Sequence, residues 1–195
     1  MKNPPRHILL TGVTGILGSH VLYELLIACL NGERQVKITL VVRSTDSESA
    51  HQRVINILSN PSRPHLLHLF TPEALFRFIN IIDAGLNELD ASHLAGVIKI
   101  GGIHVIHCAA HTNLSVSHNV YETVYDNNYK GTLHLLHWAS EILENFTFIG
   151  SAYSIGHLNS LMQGLFPALY GYPVSSQFGE DAAAVNPRSM PLLRS

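Results

Sequence analysis

Charge is scarce in this chain. Asp, Glu, Lys and Arg make up 13% of the 195 residues and leave a net charge of -2, so no basic surface is expected for nucleic acid or an acidic membrane. Long apolar runs are missing too, and none approaches the ~18 residues that a bilayer span requires. Only Cys29 and Cys108 carry thiols, which excludes a disulfide framework and points to a reducing, cytoplasmic setting. The opening Met1-Lys2-Asn3-Pro4-Pro5-Arg6-His7 runs straight into an apolar stretch, so no signal peptide is expected. Repeats and low-complexity tracts are absent, and no lysine follows Lys130. What is plentiful is apolar side chain: a 46% hydrophobic fraction is ample for the core of one globular domain.

The rest of the chain is organised around Thr11-Gly12-Val13-Thr14-Gly15-Ile16-Leu17-Gly18. The apolar residues His7 to Leu10 before it read as a buried strand. After it, Val21, Leu22, Leu25, Leu26 and Cys29 recur at helical spacing, and Asn31-Gly32 supplies a stop. A strand, a glycine turn and a helix in that order make a phosphate-binding opening. Gly12 permits the tight turn, Gly15 lets the backbone approach a pyrophosphate, and Gly18 lets the helix pack closely. The helix amino terminus adds free N–H groups and a partial positive charge.

Further strands are expected at Val36 to Val42, Phe76 to Ile82, Ile103 to Ala110 and Phe146 to Ile149. Helices are expected over Ser47 to Ser59 with Asp46 or Ser47 as cap, and over Leu89 to Gly96. Two more are expected from about Val116 to Tyr125 and from Asn128 to Leu143. Residues His65 to Ala74 read as a helix or a loop with helical turns. The alternation predicts an α/β fold, a three-layer Rossmann-like doubly wound parallel sheet of order 3-2-1-4-5. Residues 1–153 form its nucleotide-binding domain, and 154–195 have no clear period. The second strand ends at Arg43, where NAD-binding folds tend to carry an acid that grips the ribose hydroxyls. A guanidinium there suits a 2′-phosphate instead, which favours NADP(H); Arg53 on the next helix reads either as a second ligand of the same phosphate or as an ordinary surface arginine.

Four stretches together resemble the extended short-chain dehydrogenases/reductases, in their thioester reductase-like branch. That branch includes reductase domains of nonribosomal peptide synthetases, carboxylic acid reductases and fatty acyl-CoA reductases. The stretches are the glycine turn, Leu40-Val41-Val42-Arg43 with Arg53, Val105-Ile106-His107-Cys108-Ala109-Ala110, and Asn128-Tyr129-Lys130-Gly131-Thr132. The resemblance implies a cofactor site of Thr11, Gly12, Thr14, Gly15, Ile16, Leu17, Gly18, Arg43 and Arg53. It also implies Asp83 near the adenine, Ala109, Ala110 and His111 along the cofactor groove, and Asn128 supporting the active-site helix. Ser151 is the catalytic hydroxyl it implies, and the implied substrate is an acyl thioester on a carrier protein or coenzyme A.

The departure from the pattern is a Tyr-x-x-x-Lys pair, which does not follow Ser151. The expectation is therefore a chain cut short before that pair, and the start of a substrate-binding part in 154–195, with little activity alone. The alternatives are a non-catalytic nucleotide-binding or regulatory module, and an epimerase or dehydrogenase relative. Thirteen histidines raise a metal reading, but His104 and His107 fall on opposite faces of a strand and no His-Glu-x-x-His occurs, so no metal is expected.

Overall fold

Five short runs rich in β-branched and leucine side chains pair into one parallel sheet in a computed structural model. The structure describes residues 6–32, 36–98, 102–112 and 118–150. The strands are β1 (Arg6–Thr11), β2 (Val36–Val41), β3 (Ile79–Ile82), β4 (Ile103–His107) and β5 (Leu143–Phe148), in the order β3-β2-β1-β4-β5. The order reverses direction between β1 and β4, so a crevice opens beyond the carboxyl ends of those two strands. The register aligns Thr11 with Val41 on one side and His107 on the other.

The helices are α1 (Ile16–Leu30), α2 (Ala50–Leu58), α3 (Pro72–Leu75), α4 (Ala91–Ile98), α5 (His118–Val124) and α6 (Gly131–Ala139). Alternation along the strands sends side chains to two layers. Ile8, Leu10, Ile38 and Leu40 pack with Leu22, Tyr23 and Leu26 of α1 and Val54 and Leu58 of α2. Leu9, Val41, Ile103 and Val105 face the other way, toward Val97 of α4 and Leu135 and Ala139 of α6. Each fully buried leucine contributes roughly 1.5–3 kcal/mol by leaving water. Helix α1 stops where the spacing places it, because Gly32 takes a left-handed φ of 69° and its N–H bonds the Cys29 carbonyl at 3.2 Å.

Several boundaries differ from expectation, β5 among them, which starts at Leu143 and not at Phe146, and four elements differ for a local reason. Helix α2 starts at Ala50 with Ser49 as cap, not at Asp46 or Ser47. Thr45 and Glu48 instead close a turn of their own, with Thr45 N–H donating to the Glu48 carbonyl at 2.8 Å. Strand β3 starts only at Ile79, since Phe76–Phe78 continue α3 as a 3₁₀ turn with Phe76 stacked on His51. Strand β4 ends at His107, and Cys108 to Ala110 leave the sheet. The helix expected from Asn128 to Leu143 begins as a π-helical segment, Tyr125–Lys130, and ends at Ala139. Strand pairing has begun by Ile142, whose carbonyl accepts from Ile103 N–H at 2.8 Å. The domain boundary expected after residue 153 lies outside the described residues.

Candidate nucleotide site at the carboxyl ends of β1 and β4

The turn between β1 and α1 needs glycine at two positions for reasons within the chain itself. Gly12 has φ 73°, and a Cβ there would lie 2.4 Å from the Ala109 nitrogen. A Cβ on Gly18 would lie 2.2 Å from the Gly12 carbonyl oxygen, so the first turn of α1 rests directly on the glycine loop. Gly15 is different. Its nearest neighbour would be the Gly12 oxygen at an ordinary 3.4 Å, so nothing inside the protein forbids a side chain. Gly15 is the N-cap of α1, no side chain caps the helix, and no acid lies in the first turn. The result is a shallow cradle that a side chain would fill, at a helix end whose N–H groups face outward. Thr14, Gly15, Ile16 and Leu17 are all exposed around it. These features fit a pyrophosphate, with the first-turn amides of α1 as donors.

Beyond β2, Arg43 is exposed, and among the described residues its guanidinium has no hydrogen-bond or ion-pair partner. Its Cδ passes 3.8 Å from where a Cβ on Gly85 would sit. The segment carrying it is fastened from three sides. Ser44 donates to Asp83 through its N–H at 2.8 Å and through its hydroxyl at 2.5 Å, and its Oγ accepts from Ala50 N–H at 2.9 Å. Arg53 donates from Nη1 to the Arg43 carbonyl. The structure thus places Arg53 and Asp83 as struts behind Arg43, both already engaged with protein atoms.

On the β4 side, a chain of polar groups runs through the interior. Ala109 N–H donates to Thr11 Oγ1 at 3.3 Å, and Thr11 Oγ1 lies 2.6 Å from His107 Nδ1. His107 Nε2 lies 2.9 Å from Thr132 Oγ1, which donates to the Asn128 carbonyl at 2.6 Å. The Asn128 side chain then clamps the backbone of His111, accepting its N–H at 2.7 Å and donating to its carbonyl at 3.1 Å. The π-helical segment brings the Asn128 amide to the β4 exit loop, a common use of such segments. Ala109 is half-buried and Ala110 exposed where the chain leaves the sheet. His107 is 1% exposed and its pKa falls to about 4, because burial penalises the charged ring. Burial likewise pushes the Cys108 thiol up, which disfavours it as a nucleophile.

Among the described residues, no group of three His, Cys, Asp or Glu side chains could hold a metal ion. Ser151 lies outside the described residues. Sequence reasoning assigned no role to Ser44 or Thr132; both act across long separations in the chain, and neither stands in a pattern that reveals its partner.

The parallel sheet, the reversal between β1 and β4 and the glycine turn together define a Rossmann-like domain for a nicotinamide dinucleotide. The NAD-binding family model described as "Male sterility protein" matches residues 10–170, and the chain belongs to that family, of the extended short-chain dehydrogenase/reductase, thioester reductase-like type. Among solved structures it is similar to the terminal R domain from the myxalamid PKS-NRPS biosynthetic pathway. That likeness has 24% identity and a TM-score of 0.58, covering 77% of this chain and 36% of the other. It is similar also to a thiolation-reductase di-domain from an archaeal non-ribosomal peptide synthetase, at 20% identity and TM-score 0.56, covering 76% and 28%. A UDP-N-acetylglucosamine 4-epimerase from Methanobrevibacter ruminantium M1 follows at 19% and 0.52, covering 78% and 40%. The chain therefore spans less than half the length of these structures. No curated protein matches it. Among the described residues, no helix is long and apolar enough to cross a membrane.

Proposed function

We propose that this chain supplies the NADPH site of a cytoplasmic reductase acting on an acyl thioester, held on a carrier protein or coenzyme A. The observation that carries the cofactor choice is Arg43, an exposed guanidinium beyond the end of β2 that has no partner among the described residues. It stands where NAD-binding folds present an acid to the ribose. A guanidinium meets phosphate oxygens with two donors at once, which a ribose hydroxyl cannot exploit as well. The amides of Ile16, Leu17 and Gly18 would receive the pyrophosphate, and Ala109 to His111 would border the groove. When bound, the cofactor supplies a hydride to the thioester carbonyl carbon. Support for the substrate class comes from the family and from the likeness to the two reductase domains.

In this sequence Ser151 has no Tyr-x-x-x-Lys after it, and no lysine lies beyond Lys130. The chain by itself is then a nucleotide binder with little turnover, since a polarised carbonyl needs a proton donor. Calorimetric titration of the purified chain with NADPH and NADH tests the reading. Tighter binding of NADPH, without oxidation on adding an acyl-CoA, supports it. Equal affinity for the two cofactors removes the 2′-phosphate assignment, and failure to bind either removes the nucleotide site.

A further inference from the structure

The polar chain through the interior has a single direction, and that direction fixes the state of a buried histidine. Thr132 has one hydroxyl proton and gives it to the Asn128 carbonyl at 2.6 Å. Its oxygen can then meet His107 only as an acceptor, so His107 Nε2 carries the ring proton. A neutral ring protonated on Nε2 has a bare Nδ1, which accepts the hydroxyl proton of Thr11 at 2.6 Å. Thr11 Oγ1 in turn accepts from Ala109 N–H. The opposite tautomer would set a bare Nε2 against the Thr132 oxygen, whose proton is already given to the Asn128 carbonyl, and would leave the Thr11 hydroxyl proton without this acceptor.

We infer that His107 is a positioning residue, held as the one Nε2–H tautomer, that couples the start of α6 to the glycine turn. Thr11 is the last residue of β1, and the next residue is Gly12, whose left-handed backbone sits against Ala109. Thr132 lies one residue past Gly131, at the opposite end of the chain of bonds, and its partner carbonyl belongs to the Asn128 that clamps His111. The two walls of the crevice, the β1 turn and the β4 exit loop, are thereby tied to the same ring. This rests on the reading that the glycine turn receives the nucleotide, and its consequence is that Thr132 influences binding at a turn it does not form part of.

Two measurements test it. The side-chain nitrogens of His107 in the wild-type chain, followed by NMR with labelled histidine, should show a pyrrole-type Nε2 and a pyridine-type Nδ1 at neutral pH. A proton on Nδ1, or an even mixture of tautomers, overturns the inference whatever the chain binds. The second measurement compares NADPH affinity in Thr132→Val and Thr132→Ser. Valine keeps the shape but leaves Nε2–H buried without an acceptor, and affinity should fall about tenfold. Serine restores the oxygen and should bind within about twofold of wild type. Equal affinities for all three chains overturn the coupling. If wild type binds no nucleotide, the nucleotide reading fails on its own, and the tautomer measurement still decides the state of His107.

Discussion

At position 12 the backbone leaves room for no side chain, and at position 15 it leaves room that a ligand can use. Gly12→Ala forces a Cβ to within 2.4 Å of the Ala109 nitrogen while holding φ at 73°. It should lower stability by 2 kcal/mol or more, read by denaturant unfolding. Gly15→Ala meets only ordinary contact and should leave stability within about 0.5 kcal/mol while weakening NADPH binding. A large stability loss at both positions would contradict the division of labour. His107 makes a residue-scale prediction about pH. Its folded pKa of about 4 lies below the unfolded 6.5, so above pH 6.5 both states are neutral and the contribution is complete. As pH falls from 6.5 toward 4 the unfolded chain takes up a proton that the folded chain refuses, and stability drops by at most about 3 kcal/mol. Thr11 of β1, Phe146 and Phe148 of β5 and Thr132 of α6 face the ring, and none of them carries a charge. A His107→Gln chain should lose that component of the pH dependence, and an unchanged acid profile would remove His107 as its source.

Among the elements, the segment after β2 is where the proposed preference for NADPH would be set, and its parts are unequal. Arg43→Ala should cost NADPH affinity about tenfold or more while NADH affinity changes little. Arg53→Ala should cost less, because Arg53 holds the Arg43 carbonyl and does not project alone into solvent. Measured dissociation constants for both cofactors in both variants check the ranking. Much of this was legible beforehand. The spacing of Val21, Leu22, Leu25, Leu26 and Cys29 placed α1, and the alternation of strands and helices placed the sheet order. The position of Arg43 beyond β2 was legible too. The hydrogen bonds of Arg53 and Asp83 were not, because a side chain free of protein partners and one bonded to a neighbouring carbonyl or hydroxyl look identical in sequence. The Thr45–Glu48 turn was hidden for a similar reason: Asp46, Ser47 and Ser49 are all good caps, and in the fold it is Ser49 that accepts from Gln52 N–H, while Ser44 Oγ accepts from Ala50 N–H.

For the whole molecule, the crevice outside β1 and β4 exists because the chain reverses its winding there, and both walls close on it through residues about a hundred positions apart. Thr11 and His107 are 96 residues apart in sequence, and no local pattern pairs them. Such long-range pairing makes the site a property of the assembled sheet. Ligand binding should therefore be felt globally: NADPH at a hundred times its dissociation constant adds about 2.7 kcal/mol. A thermal scan should then show a rise of several degrees, larger than with NADH at the same concentration. No shift with either cofactor would mean that the folded chain does not present the site.

The uncapped start of α1 has a consequence for anyone who would improve this protein. Serine or aspartate at position 15 would satisfy an idle amide, and aspartate would also favour the helix dipole. Together these gains are worth a few tenths to about 1 kcal/mol. A stability screen would select that change early, and it would place an oxygen where the proposed pyrophosphate would sit. The helix keeps its first turn unfinished, and a hardier variant at that position would be a mute one.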